Sequence, residues 1–176
     1  MDSIVTLSGV NTYTGNTTVN LGTIILADNA GLKFTIGANG VNNRITGAGT
    51  ATLNGDFTLD LSGAALASGN SWTLVDTTTK SFGATFTVIG FTEAADVWTK
   101  TDGSMTWTFT ESTGALTLTI SPGYASWVAN FPALPVDQRD SDDDYDGDGL
   151  NNLLEYVLGG SPLVRDAAGT APAGVK

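Results

Sequence analysis

The feature that most constrains the fold of this chain is an alternation of apolar and polar residues over residues 3–121. The alternation comes in short spans separated by glycines and Asn-Gly pairs, and many of the polar positions are threonine. Successive side chains of an extended strand point to opposite faces, so a pattern that repeats every two residues indicates a strand. On a helix, side chains return to the same face about every 3.6 residues. Clear examples are residues 17–21, 57–61 and 86–88. The pattern predicts a mostly β, threonine-rich domain over residues 1–121.

The end of this region carries the pattern of a β-hairpin. Residues 105–109 and 116–120 both alternate, and the segment between them contains Gly114. Two alternating spans joined by a short, glycine-containing segment are typical of two antiparallel strands and their turn. We therefore predict a terminal hairpin near residues 104–121.

The first part of the β region resembles a known repeat. Residues 7–26, with the sequence LSGVNTYTGNTTVNLGTIIL, resemble the autotransporter-associated β-strand repeat of bacterial surface proteins. Residues 47–55 and 57–63 continue with a similar pattern. The resemblance implies a right-handed β-solenoid. Short strands spaced by about 20 residues, with glycines at corners, would let each turn bury its inward residues on the next. The alternative is an antiparallel β-sandwich, because residues 64–121 are patterned more like hairpins.

A calcium-binding pattern lies near the C-terminus. Residues 144–155 fit the template D-x-[DN]-x-[DN]-G-x5-E, in which alternate residues of a tight loop direct oxygens at one centre. The predicted metal ligands are the carboxylates of three aspartates, one backbone carbonyl, an amide that binds directly or through water, and a bidentate glutamate: Asp144, Asp146, Asp148, Leu150, Asn152 and Glu155. Ca²⁺ suits such a set of flexible oxygens better than Mg²⁺, which requires near-ideal octahedral geometry. The absence of His and Cys makes zinc and soft metals implausible.

The loop is expected to belong to a small α-helical module, residues 122–165, that is half of an EF-hand. Pro132 and Pro135 stand where an entering helix would lie. Apolar residues at helical spacing predict an exiting helix that docks elsewhere in the chain: Leu150, Leu153, Leu154, Val157 and Leu158. Trp127 and Phe131, four residues apart, are predicted to anchor the module to the β domain. Residues 166–176 are predicted to be a flexible tail.

This module carries a second resemblance. Residues 124–131 (YASWVANF), 146–156 (DGDGLNNLLEY) and 158–162 (LGGSP) resemble the C-terminal region of large secreted proteins of the Verrucomicrobia and Planctomycetes, with a dockerin-like or EF-hand-like half-hand. The resemblance implies a location outside the cell or on the bacterial surface. It implies no particular activity.

Composition excludes several classes of function. A net charge of −11 argues against nucleic acid as a partner, because nucleic acids select for clustered Lys and Arg. No apolar run reaches the roughly 18 residues of a membrane helix. The absence of His and Cys removes the commonest acid-base and nucleophilic groups, so the chain is predicted not to be an enzyme. Asp56 and Asp60 form the one carboxylate pair considered for catalysis. Three tryptophans are expected to fill the core and would bind sugars only if exposed: Trp72, Trp98 and Trp107.

These observations predict an extracellular structural protein, a β-scaffold stabilised by Ca²⁺. Because the repeat begins close to Met1 with no polar cap, copies are expected to associate head to tail into fibres, unless the chain is an excised segment or a mature form. The alternative is an adhesin module that binds polysaccharide or another surface. A glycan-active enzyme fragment is the third hypothesis.

Overall fold

The computed structural model describes residues 3–165, and the protein is mostly β, with 41% strand and 9% helix. The described strands, in chain order, are β1 (Ile4–Leu7), β2 (Val10–Asn11), β3 (Thr17–Thr18), β4 (Thr23–Leu26), β5 (Gly31–Thr35), β6 (Ile45–Leu53), β7 (Asp56–Asp60), β8 (Ser71–Thr73), β9 (Val75–Phe82), β10 (Thr87–Val88), β11 (Thr92–Ala94), β12 (Val97–Asp102), β13 (Met105–Thr110) and β14 (Ala115–Ile120). Two α-helices follow, α1 (Tyr124–Val128) and α2 (Asn152–Leu158), with a 3-10 turn at Val136–Gln138 between them.

The chain divides into two compact units, Met1–Ser121 and Pro122–Lys176. The first holds the strands and the second holds the helices. The tail that was predicted to be flexible, residues 166–176, lies outside the described residues.

Two parallel ladders form the first part of the β unit. In one, β1, β4, β6 and β9 follow each other, and the short β3 lies beside the start of β6. In the other the order is β2, β5, β7 and β10. β1, β4, β6 and β9 are each followed in the chain by a strand of the second ladder, so the chain passes repeatedly from one ladder to the other.

The pairing register of the first ladder aligns large apolar residues of neighbouring strands with one another. Leu7, Leu26, Leu53 and Phe82 are aligned across four strands of the first ladder. Their alignment follows from the period-two pattern, since a register error of one residue would turn the whole apolar set toward solvent. Leu26 and Leu53 are buried, and so is Phe57 of the second ladder.

The third sheet is antiparallel, in the order β11, β12, β13, β14, β8. The predicted hairpin is present as β13 and β14, in which Thr110 pairs with Ala115 across the turn. Apolar residues of this sheet join the same core, because Phe109 lies 5.9 Å from Phe57 between ring centroids. Parallel and antiparallel strands thus share one hydrophobic core.

The second unit contains a cluster of aromatic rings. Trp127 lies 5.0 Å from Phe131 and 5.7 Å from Tyr156 between ring centroids, and Tyr124 lies 6.0 Å from Tyr156. The rings that were predicted to anchor the module to the β domain therefore contact one another within their own unit. This cluster connects α1 to α2.

The second unit does not itself cover the leucines of α2. Leu153, Leu154, Val157 and Leu158 are all exposed, and the buried residues of the helix are Asn152 and Glu155. The physical reason is that the preceding loop covers the start of α2, so the covered face is the polar one that the loop contacts. No helix among residues 3–165 is long and apolar enough to cross a membrane, in agreement with the sequence prediction.

Candidate metal centre

Three of the predicted ligands lie together. One carboxylate oxygen from each of Asp144, Asp146 and Asp148 is within 4.8 Å of the other two. Their side chains come from alternate positions of one loop, and Gly147 and Gly149 have positive φ values of 71° and 95°, which side chains rarely adopt. The sharp turn that these glycines allow is what brings the carboxylates to one side.

The backbone of the loop holds these carboxylates in place. Asp144 accepts hydrogen bonds from the N–H groups of Gly147 (2.9 Å), Asp148 (3.2 Å) and Gly149 (3.0 Å). Asp146 accepts from the N–H of Asp148 (3.1 Å), and Asp148 accepts from the N–H of Leu150 (2.7 Å). Each donor orients a carboxylate, so the loop is pre-arranged by its own amides.

The start of α2 closes the other side of the loop. The Asn151 side chain caps the helix by accepting from the N–H of Leu154 at 2.9 Å. Asn152 is fully buried, and Glu155, three residues further on, is 1% exposed. Burial of a glutamate is uncommon, so the covered position of Glu155 on α2 is chemically informative.

Asn152 connects the helix to the segment that enters the loop. Its amide nitrogen donates to the carbonyl oxygens of Gln138 and Asp140, at 2.9 Å each. Because only an NH₂ group can donate to two carbonyls, these bonds also determine which end of the amide is the oxygen. The backbone N–H of Asn152 donates to the carbonyl of Asp143 at 2.8 Å.

Two oxygens of the site are buried without a hydrogen-bond partner among the described residues. They are Oδ2 of Asp148 and Oδ1 of Asn152. Leaving a buried acceptor unsatisfied costs about 1–3 kcal/mol, and more when the group is charged. Both atoms belong to residues that the sequence predicts as metal ligands.

The arginines near the loop donate to backbone carbonyls. Arg165 donates to the carbonyl oxygen of Gly147, and Arg139 donates to that of Leu134 at 3.0 Å. These bonds fix the loop and the segment before it.

Tyr124 ties α1 to the segment that enters the loop. Its hydroxyl donates to the carbonyls of Arg139 and Asp140. Burial raises the pKa of Tyr124, and the negative charge of nearby aspartates raises it further. Tyr124, Asn151 and Arg165 are not among the predicted site residues. Only Asn151 had a local signal, as an N-cap residue before a helical pattern.

The structure separates the predicted ligands into two groups. Asp144, Asp146 and Asp148 form the carboxylate cluster, while Asn152 and Glu155 occupy the buried face of α2. Leu150 lies between the two groups in the chain, with its N–H bonded to Asp148. The arrangement is rich in oxygen acceptors, which is the chemistry of a site for a hard cation.

The carboxylate pair considered for catalysis is engaged in structural contacts. Asp60 lies 2.9 Å from the ammonium of Lys33 and accepts from the Ser62 hydroxyl at 2.6 Å. The Ser62 and Lys33 hydrogen bonds lower the pKa of Asp60 to about 2. A carboxyl with that pKa is a poor proton donor or acceptor near neutral pH. Asp56 accepts a hydrogen bond from the Thr87 hydroxyl.

The three tryptophans of the β unit are core residues, as the sequence predicted. Trp72, Trp98 and Trp107 are 0%, 8% and 3% exposed. Their ring faces are therefore covered by protein and do not offer a platform on which sugars could stack.

No family model matches the chain, and no curated protein or solved structure matches it. Both resemblances described above therefore stay predictions.

Proposed function

We propose that this chain is an extracellular, non-enzymatic structural protein: a β-scaffold whose C-terminal module binds Ca²⁺. The observation that carries the proposal is the pair of buried, unsatisfied oxygens, Asp148 Oδ2 and Asn152 Oδ1, at a loop with the spacing of a calcium site. Burying either oxygen is unfavourable unless a cation or a hydrogen-bond donor compensates its lost hydration.

Ca²⁺ is the cation that the ligand set favours. The three clustered aspartates, the Leu150 carbonyl, Asn152 and Glu155 would supply six or more oxygens, and Ca²⁺ accepts six to eight. Calcium bound there would neutralise the repulsion among the carboxylates. Modules outside the cell bind it with dissociation constants of about 10⁻⁴ to 10⁻³ M, which agrees with the proposed location.

The contribution of calcium to the scaffold is stability. An ion that binds the folded loop and not the unfolded one adds RT ln(1 + [Ca²⁺]/Kd), or about 2.7 kcal/mol at a hundredfold excess over Kd. The loop, Asn152 and Tyr124 are joined by hydrogen bonds, so this stabilisation would extend to both helices of the unit.

For the β unit we propose a right-handed solenoid over residues 4–88. The support is that both ladders are parallel and that β1, β4, β6 and β9 of the first ladder are each followed by a strand of the second. Parallel neighbours need crossover connections, and such crossovers are right-handed in about 98% of cases. The sandwich alternative is supported by the antiparallel sheet formed by β8 and β11–β14.

Calorimetric titration tests the calcium site. We expect uptake of Ca²⁺ at micromolar to millimolar concentrations and much weaker uptake of Mg²⁺. Asp148→Asn and Glu155→Gln should each weaken binding at least tenfold, whereas Asp142→Asn, at an exposed acid outside the ligand set, should change it little. Absence of Ca²⁺ uptake at millimolar concentration would overturn the proposal.

A further inference from the structure

The segment that enters the loop, residues 138–143, is held through its backbone carbonyl oxygens. Asn152 donates to three of them. Its side-chain NH₂ group bonds to the carbonyls of Gln138 and Asp140 at 2.9 Å each, and its backbone N–H bonds to that of Asp143 at 2.8 Å. A helix at this position would use the same carbonyls for its own hydrogen bonds. One residue of α2 therefore supplies support that an entering helix provides in a full EF-hand.

The Tyr124 hydroxyl holds the same segment from α1. It donates to the carbonyl of Arg139 at 2.9 Å and to that of Asp140 at 3.0 Å. The Asp140 carbonyl is therefore bonded to both helices, since it also accepts from Asn152 of α2. Tyr124 lies outside the predicted ligand set, so its hydroxyl can influence the loop through this segment.

The two ends of the Asn152 amide differ in what they contact. The nitrogen is bonded at two points, whereas Oδ1 is buried with no hydrogen-bond partner among residues 3–165. Asn152 is 0% exposed, so this oxygen is closed to bulk solvent. An amide is planar, so the two bonds at the nitrogen also fix the direction of the oxygen. The oxygen is therefore oriented before a ligand binds.

We propose that Asn152 binds the cation directly through Oδ1 and thereby couples calcium binding to residues 138–143. This inference rests on the calcium site proposed above and deepens it. With an ion bound, both ends of the amide have partners. Without one, Oδ1 gains a partner only if the amide turns or becomes exposed, and either movement breaks the bonds to Gln138 and Asp140. The ion and the segment therefore stabilise each other, and the coupling is equal in both directions.

The coupling makes residues 138–143 a calcium-dependent element of the helical unit. When calcium is removed, the segment loosens and the Tyr124 hydroxyl loses its acceptors. The Tyr124 ring lies 5.7 Å from Trp127 and 6.0 Å from Tyr156 between centroids, so the aromatic cluster that connects α1 to α2 is linked to the state of the loop.

Calorimetric titration of two tyrosine variants tests the coupling. Tyr124→Phe removes a hydroxyl that holds the segment and leaves every predicted ligand in place, so it should weaken Ca²⁺ binding about fivefold or more. Tyr156→Phe is the matched control, because its hydroxyl donates to the carbonyl of Pro122, outside the segment, at 2.6 Å. The control should keep the affinity of the unmodified protein. Unchanged affinity in Tyr124→Phe, or equal weakening in Tyr156→Phe, would overturn the coupling.

Europium luminescence tests whether Asn152 binds the ion directly. Eu³⁺ accepts the same oxygen ligands as Ca²⁺, and its luminescence lifetimes in H₂O and D₂O count the waters bound to it. Asn152→Ala should admit additional water to the ion, whereas Tyr124→Phe should not. Asn152→Asp keeps an oxygen at this position and should keep the hydration of the unmodified protein. Equal hydration in Asn152→Ala and the unmodified protein would overturn direct binding.

Hydrogen exchange measured by mass spectrometry gives the reciprocal readout. In the unmodified protein, Ca²⁺ should slow exchange in a peptide that spans residues 138–143 relative to EDTA. Asn152→Asp loses both side-chain donors, so saturating Ca²⁺ should protect the same peptide much less. Equal protection in the two proteins would overturn the coupling.

The two proposals fail in distinguishable ways. Absence of Ca²⁺ uptake by the unmodified protein would overturn the calcium site and this inference together. Normal uptake with unchanged affinity in Tyr124→Phe would overturn the coupling alone.

Discussion

At the scale of single residues, the informative positions are polar groups that the fold buries. Asn152 and Glu155 are the buried residues of α2, although neighbouring leucines of the helix are exposed. Burying an amide and a carboxylate in place of leucine is unfavourable unless something compensates their desolvation. Burial of polar residues beside exposed leucines is the reverse of the usual pattern, and it indicates that this face of α2 has a function connected with the loop.

The Asp60 carboxyl gives a prediction about pH. Its pKa is lowered from 3.8 to about 2 by hydrogen bonds from Ser62 and Lys33. The stabilisation is therefore present above the unfolded value of 3.8 and is lost as the pH falls toward 2. An NMR titration of the carboxyl carbon should give a midpoint near 2, and Ser62→Ala should raise it. A midpoint at 3.8 in the unmodified protein would contradict this interpretation.

Glu111 gives a prediction of the opposite sign. Burial raises the pKa of Glu111, the Trp98 indole N–H bonded to it at 2.8 Å lowers it, and the charges of Asp96 and Glu93 raise it. Ionised Glu111 therefore weakens the fold, and this loss is present above its folded pKa. Glu111→Gln keeps an acceptor for Trp98 and removes the charge. Its melting temperature at pH 7 should equal or exceed that of the unmodified protein, and a clear decrease would argue against this account.

At the scale of elements, β6 pairs with two shorter strands along one edge, while β9 pairs with its other edge. The first residues of β6 pair with β3 and its last residues pair with β4, and a bulge between Gly47 and Thr50 joins the two parts. Gly47 has a φ of 121°, and a Cβ there would lie 2.4 Å from the Val19 carbonyl oxygen. The bulge therefore depends on glycine for both its conformation and its space.

The bulge can be tested with a matched pair of alanine substitutions. Gly47→Ala should destabilise the protein by about 2–4 kcal/mol, since it combines an unfavourable φ with a clash against backbone. Gly40→Ala is the control, because Gly40 also has a positive φ of 74° but open space where its Cβ would be. Urea unfolding should show a clearly smaller loss for the control. Equal losses would mean that the contact with Val19 is unimportant.

The core under these strands should be sensitive to truncation. The Phe57 ring is fully buried and lies 4.6 Å from Phe34 and 4.8 Å from Phe86 between centroids. Phe57→Ala should cost about 3–5 kcal/mol of unfolding free energy, as measured by urea denaturation. A loss below 1 kcal/mol would mean that the ladders do not depend on this cluster.

At the scale of the whole molecule, two units with different sources of stability share one chain. The β unit buries a continuous apolar core, whereas the helical unit has a small aromatic cluster and an acidic loop. Small units with little apolar core commonly depend on a metal ion or another constraint for stability. The calcium dependence that we propose is therefore expected in the helical unit.

Calorimetric melting in Ca²⁺ and in EDTA tests this assignment. EDTA should lower the temperature at which the helical unit unfolds by several degrees and leave the transition of the β unit in place. Asp148→Asn should show the lower temperature in both buffers. An equal shift of all transitions would contradict the assignment, and no shift would contradict the calcium site.

The sequence by itself determined the features that depend on local periodicity and spacing. Alternation of period two was sufficient to predict a mostly β protein and the hairpin of β13 and β14, because side-chain direction in a strand depends only on residue parity. The spacing of the acids was also sufficient to select Asp144, Asp146 and Asp148, which the fold brings within 4.8 Å of each other.

Only the tertiary structure decided which face of each element is covered. The leucines of α2 have the period of a docking face, yet the buried residues of the helix are Asn152 and Glu155, and the segment before the loop bonds to Asn152. It also decided that the antiparallel sheet packs on the last strands of the parallel ladders, where Phe109 contacts Phe82 and Phe86. Contacts between residues far apart in sequence select among faces that local patterns leave equivalent.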